Sequence, residues 1–297
     1  QEKVGLDCFV NTRNDIITHK EDQIFYFFNL AMKTELFEVV NKDNTVIRGI
    51  VSLPNNWNCK AWVLCLHWFE RCSSTEKKFK TLTQDLTEKM FAVLRFDFSW
   101  CGLSDGDFRS TTIAKQSEEF ISVFEAFKKK YDLNKVNVIA HSLGACVLAE
   151  WQQNVELDKI VLLAPALNQK DLLRYRFVVS QMKKKNPELE ITWENYSEYL
   201  DESYFQEDCK RQDKMTKVNM INSDYFLAAE KRDFSKCFEG KENDILHIHW
   251  WKDVAVPLES LNISFKNTLI VENGDHDMEK PDHLEQWKDK VLTFLAG

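Results

Sequence analysis

Six short stretches of this chain are apolar almost without interruption: AWVLCLH (61–67), FAVLRFD (91–97), VNVIAH (136–141), KIVLLAPA (159–166), ILHIHW (245–250) and NTLIVEN (267–273). A strand wetted on one side alternates apolar and polar residues, whereas a run apolar at both parities is buried on both faces. Helix-compatible segments lie between most of them, at 75–90, 114–130, 143–154 and 281–296. Buried strands alternating with helices predict an α/β fold, with a mainly parallel central sheet and helices on both faces. Ahead of these, FEVVNKDNTVIRGIVSLP alternates around a polar turn and predicts a hairpin starting at Phe37.

The rhythm breaks between about Asn168 and Asp244, where the text is charged and aromatic and shows no comparable strand. That interval is too long for a loop and too aromatic for simple disorder. It predicts an inserted cap over the C-terminal edge of the sheet. The chain thus divides into an N-terminal arm (1–36) packing on the core through the apolar patch Ile24–Met32, a first core part (37–167), the cap (168–244) and a second core part (245–297).

Composition excludes several function classes. A net charge of −8 argues against nucleic acid and anionic membranes as main partners. No apolar run approaches the ~18 residues of a membrane span, so integral membrane association is not expected. The eight cysteines are dispersed with no C-x-x-C pair, which fits reduced structural thiols and a cytoplasmic setting. The N-x-S triplets at Asn195 and Asn262 keep a secreted alternative open. Oligomeric state is not encoded legibly, and a homodimer is one arrangement open to the chain.

In a parallel sheet, reactive groups collect in the loops after the strand C-termini. Those loops hold HWFE after 61–67, FSWCGLSDG after 91–97, Ser142 after 136–141, Asp253 after 245–250 and His276 after 267–273. A serine between a strand and a helix is ordinarily a helix cap. An acid and a histidine following in order on the same edge change that weighting. Asp233, Asp244 and Asp275 rival Asp253, and His283 rivals His276. His247 and His249 share a strand face at i, i+2, the start of a zinc pair, but no third ligand is apparent and no metal is expected.

These residues carry a family resemblance. LCLHWF, LRFDFSWCGLSDGDF, VIAHSLGA, LLAPA, WKDVAVP and NGDHDM stand in the order seen in the α/β-hydrolase superfamily. Within it, the chain resembles serine esterases with an inserted cap, the cinnamoyl/feruloyl esterase-like group. The resemblance implies Ser142 as nucleophile on a strand–turn–helix elbow, His276 as base and Asp253 as the acid that orients it. It implies an oxyanion hole from the backbone N–H groups of Phe69 and Leu143, with Trp68 and His141 on the substrate-binding side. It implies no metal and no organic cofactor, and a small-molecule ester as substrate. His67 is expected to order the oxyanion loop and Asp97 to fix the turn after its strand. The cap aromatics Trp193, Tyr196, Tyr199, Tyr204 and Phe205 either line an acyl site or form the cap's own core.

Three positions depart from the pattern: Trp68, Trp100 and Trp250 stand where the family places glycine. Any of the three that needed φ > 0 would cost roughly 1–2 kcal/mol. Either Trp68 shapes an acyl pocket, or the gene reads UGA as glycine and the translation wrote tryptophan; UGG codons at all three positions exclude the latter. The expected activity is carboxylic-ester hydrolysis through an acyl-enzyme. The alternatives are thioester hydrolysis or acyl transfer with the same residues, or a catalytically weak binding protein on the same fold.

Overall fold

A computed structural model describes residues 32–55, 59–132, 135–151, 157–272 and 274–297. The expected arm lies outside these residues except at its end, as does Cys8. Ten strands are described: β1 (Lys33–Val40), β2 (Val46–Leu53), β3 (Ala61–Leu66), β4 (Phe91–Phe96), β5 (Val136–His141), β6 (Ile160–Leu163), β7 (Lys214–Met215), β8 (Met220–Ile221), β9 (Ile245–Trp250) and β10 (Asn267–Val271). The helices are α1 (Lys77–Glu88), α2 (Ile113–Tyr131), α3 (Leu143–Trp151), α4 (Gln169–Lys185), α5 (Glu202–Cys209), α6 (Ser223–Ala229) and α7 (Pro281–Ala296).

Eight strands form one sheet in the order β1-β2-β4-β3-β5-β6-β9-β10. The β1–β2 and β2–β4 pairs are antiparallel, and all pairs from β4 to β10 are parallel. The continuous apolar runs are explained by the two faces. Leu64, Leu66, Val138 and Ala140 point to the side covered by Phe120, Val123, Phe124 and Phe127 of α2 and the small residues of α3. Val63, Cys65 and Ile139, of the opposite parity, point to Phe79, Leu82 and Leu86 of α1 and Leu284, Trp287 and Val291 of α7.

Two details differ from expectation. The hairpin begins at Lys33, because β2 runs to Leu53 and pairs all eight residues of β1; an edge strand tolerates the polar Lys33–Glu35 text that hid it. The interval between β6 and β9 holds α4, α5, α6 and a two-residue ladder, β7 against β8, too short to show in a periodicity.

The β5–α3 junction is a close approach. A Cβ on Gly144 would stand 2.8 Å from the Leu66 carbonyl oxygen and 2.9 Å from that of His67. The first turn of α3 is therefore pressed against the end of β3. We expect Gly144→Ala to lose about 1–3 kcal/mol of stability in urea unfolding, with the Ser142 region displaced.

Histidines brace the same edge. His67 donates from Nδ1 to the Trp68 carbonyl (2.8 Å) and accepts at Nε2 from the Phe98 N–H (3.0 Å). His141 donates from Nε2 to the His276 carbonyl (2.9 Å). His249 donates from Nε2 to the Val256 carbonyl (2.8 Å), which leaves its Nδ1 to accept from His247 Nε2 (3.0 Å). Burial holds all four below the usual imidazole range, His247 at about 3 with the neighbouring His249 adding to the effect. An unfolded histidine takes up its proton near pH 6.5. Below that pH the unfolded chain therefore binds more protons than the folded one. Stability should fall as pH drops from about 6.5, each buried histidine adding a slope of up to about 1.4 kcal/mol per pH unit. Urea midpoints at pH 7.5, 6 and 5 test this; His247→Gln should flatten the dependence, and a midpoint that rises on acidification contradicts it.

Candidate active site

The elbow forms where β5 hands over to α3. Ser142 has φ +52°, a left-handed conformation that a side-chain-bearing residue holds only when its surroundings impose it. Here they do: the Ser142 N–H donates to the Leu163 carbonyl at 2.8 Å, and its own carbonyl accepts from Ala145 (3.1 Å) and Ala166 (3.2 Å). The turn lifts Oγ out of the sheet at the start of a helix.

His276, in the segment between β10 and α7, meets this oxygen. Its Nε2 lies 3.0 Å from Ser142 Oγ and its Nδ1 lies 2.6 Å from Asp253 Oδ2. The other Asp253 oxygen accepts from the Ala255 and Val256 N–H groups at 2.8 and 2.9 Å. The carboxylate is thus fully engaged, so Nδ1 carries the proton and Nε2 is free to accept from the serine. All three side chains are buried, with Ser142 5%, Asp253 3% and His276 8% exposed. The structure brings these three together and leaves their rivals elsewhere. Asp233 binds Ser235 and Asn262, and Asp275 binds Lys280 and the Met278 N–H. His283 stands 3.7 Å from Asp275 and the same from Asp282.

The Leu143 N–H opens α3 and so has no partner within that helix. The Phe69 N–H lies in the turn after β3 and donates to no other described residue. His67 clamps that turn from inside, as its position after β3 suggested. Asp97 accepts from the N–H and hydroxyl of Ser74 and from the Leu103 N–H, fixing the β4 turn. His141, expected on the substrate side, has no exposed surface. Its ring holds the backbone of His276 from below, because β5 ends in the core before Ser142 turns outward.

Trp68 packs edge-on to the His276 ring at 4.7 Å, with the Arg71 guanidinium 5.2 Å from the indole. The Trp68 Nε1–H donates to Glu76 Oε1 (2.8 Å), an oxygen that also accepts from Lys78 Nζ (2.9 Å). Lys78 has no exposed surface and lies 3.4 Å from Glu279. Glu76 and Lys78 were not singled out in the sequence. A signal existed: Lys78 shares the stripe of Leu82 and Leu86 on α1, and a lysine on an apolar stripe calls for a buried partner. Of the three tryptophans at family glycine positions, only Trp100 is left-handed, at φ +62°.

The aromatic residues between β6 and β9 pack mainly on one another. Tyr175 meets Trp193 at 5.5 Å and Tyr196 at 5.7 Å, while Phe177 meets Tyr204 at 5.4 Å and Phe205 at 5.5 Å. Among the described residues Cys59, Cys65, Cys72, Cys101, Cys146 and Cys209 form no disulfide, no cluster of three or more metal-type ligands occurs, and no helix is long and apolar enough to cross a membrane.

The chain is similar to known proteins in sequence and in fold. An acyl transferase of Shewanella hanedai is 27% identical over 208 residues, which are 67% of this chain and 61% of that protein. The chain thus spans about three fifths of that relative's length. Among solved structures, Est1E of Butyrivibrio proteoclasticus with ferulic acid bound matches with a TM-score of 0.66 at 18% identity, over 87% of this chain and 97% of that one. An esterase of Pyrococcus furiosus matches with a TM-score of 0.60 at 18% identity, over 90% and 91% of the two chains. At such identities the likeness is one of fold, the α/β-hydrolase fold. The family model described as serine aminopeptidase, S33 matches residues 59–228, which include Ser142 and end before Asp253 and His276. That match covers more than half of the 297 residues, and the chain belongs to this family of α/β-hydrolases.

Proposed function

We propose that this chain is a serine carboxylic-ester hydrolase. The observation that carries the reading is the unbroken hydrogen-bond line from Ser142 Oγ through His276 to Asp253. Ser142 Oγ attacks the ester carbonyl carbon as its proton passes to His276 Nε2. Asp253 holds Nδ1–H and stabilises the imidazolium that forms. The carbonyl oxygen, now negative, is received by the Phe69 and Leu143 N–H groups. His276 then protonates the departing alkoxide, leaving the acyl group on Ser142. Water, activated by the same imidazole, releases the acid and restores the serine.

The insertion of residues 168–244 acts as the cap in this reading. Its helix α4 reaches the acid loop, with Tyr175 Oη 3.4 Å from the Val254 carbonyl. Trp68 beside His276 supplies an aromatic wall, which with the ferulic-acid-bound neighbour favours aryl or hydroxycinnamoyl esters. A second reading, transfer of the acyl group to an alcohol or thiol, draws on the acyl transferase relative. The two differ only in what attacks the acyl-enzyme.

The test is turnover of p-nitrophenyl esters from acetate to decanoate beside a hydroxycinnamoyl ester, with and without an added acceptor alcohol. Ser142→Ala should abolish turnover, and Asp253→Asn should lower kcat by about 10³–10⁴-fold while folding normally. Acceptor esters formed in preference to free acid move the function to acyl transfer. Turnover that survives Ser142→Ala ends the proposal.

A further inference from the structure

The residue after Phe69 has a distinctive environment. Glu70 is left-handed, at φ +59°, and its carboxylate leaves the sheet to enter the loop joining β7 to β8. Five donors from four consecutive residues converge on it. Oε1 accepts from the Asn219 N–H (3.1 Å), the Asn219 side-chain amide (3.1 Å), the Val218 N–H (3.4 Å) and the Thr216 hydroxyl. Oε2 accepts from the Lys217 N–H at 3.3 Å. Successive backbone N–H groups turned inward make an anion-binding concavity, and here the anion is the chain's own side chain. The Asn219 oxygen accepts in turn from Trp100 Nε1 at 3.2 Å. The Asn222 N–H donates to the Arg109 carbonyl at 3.0 Å. The small hairpin is therefore moored to the loops after both β3 and β4.

We propose that Glu70 is a positioning residue that ties the β7–β8 hairpin of the insertion to the oxyanion loop and thereby sets the direction of the Phe69 N–H. The inference rests on the reading of Ser142 and Phe69 given above. The peptide plane that carries the Glu70 N–H is joined to Phe69, so freeing Glu70 from its left-handed conformation rotates the chain next to the oxyanion donor. A fixed donor stabilises charge only in the transition state. The effect therefore falls on kcat and leaves KM nearly alone.

The experiment compares the full chain with Glu70→Ala and Glu70→Gln, the glutamine keeping one acceptor oxygen. Three readouts are taken: kcat and KM on p-nitrophenyl acetate, affinity for a trifluoromethyl ketone that adds to the serine, and hydrogen–deuterium exchange of peptides covering 66–73 and 212–222. Glu70→Ala should lower kcat roughly 10- to 100-fold, short of the ~10²–10³-fold cost of a lost oxyanion donor. KM should stay within about twofold, ketone affinity should drop in parallel with kcat, and both peptides should exchange faster together. Glu70→Gln should recover part of each. Unchanged kcat, or a raised KM at constant kcat, overturns the proposal, and so does faster exchange of the hairpin peptide with the 66–73 peptide unmoved. If the parent chain shows no Ser142-dependent turnover, the hydrolase reading fails by itself. Exchange then still decides whether Glu70 couples the two loops.

Discussion

The contact between the start of α3 and the end of β3 is the constraint on which the site depends. Gly144 faces the carbonyls of Leu66 and His67 at a distance no side chain fits. This brings the helix that begins beside Ser142 against the strand that leads into the Trp68–Glu70 turn. Ser142 is held left-handed between a donor bond to Leu163 and an acceptor bond from Ala166, so β6 fixes it from the other side. Three neighbouring parallel strands thus locate one hydroxyl. The left-handed residues Glu70, Ser142, Ala164 and Met278 all lie after strands on this edge. Strain gathers there because the sheet behind is rigid enough to enforce it.

The loops themselves are held by side chains buried beneath them. Four neutral histidines bridge backbone groups or one another, and a neutral ring in the core avoids the desolvation cost of a charged one. Lys78 is the exception, a fully buried cation against Glu76. Removing one partner of such a pair typically costs about 3–5 kcal/mol, although the pair itself need not stabilise. Its value lies in direction: the same Glu76 oxygen takes the Trp68 indole N–H, so the pair sets the ring that lies against His276. The buried charge and the candidate base are thus two side chains apart.

The sheet was readable because its physics is local and repetitive. Runs apolar at both parities have one stable destination, and their alternation with helices implies parallel pairing; the order of the strands, with β4 between β2 and β3, is written in no single run. The Ser142, Asp253 and His276 positions were readable because each follows such a run. Residues whose role depends on tertiary approach were not. Lys33–Glu35 read as polar lead because their pairing comes from β2, far from anything in their own text. Nothing around Glu70 in the sequence signals its role, since its donors lie almost 150 residues further along. The family resemblance puts His141 on the substrate side beside Ser142, yet the turn that lifts Ser142 leaves the preceding ring in the core. Adjacency in sequence is a poor guide at a turn, where side chains diverge most.

The tryptophans at family glycine positions separate along the same line. A glycine is required where φ is positive or where a neighbour leaves no room for Cβ. Trp68 meets neither condition, and its indole has a hydrogen-bond partner and two ring contacts. Trp250 is matched by Gly274, where an added Cβ would come within 3.0 Å of the indole, so one glycine supplies the room that another position gave up. Trp100 alone is left-handed, and it is 56% exposed. Its strain, roughly 1–2 kcal/mol, is offset in part by its bond to Asn219 on the hairpin that Glu70 also holds. At 68 and 250 the backbone makes no demand for glycine, so bulk there leaves the turn after β3 and the end of β9 unstrained. At 100 the demand remains, in a turn whose indole reaches Asn219 on the β7–β8 hairpin.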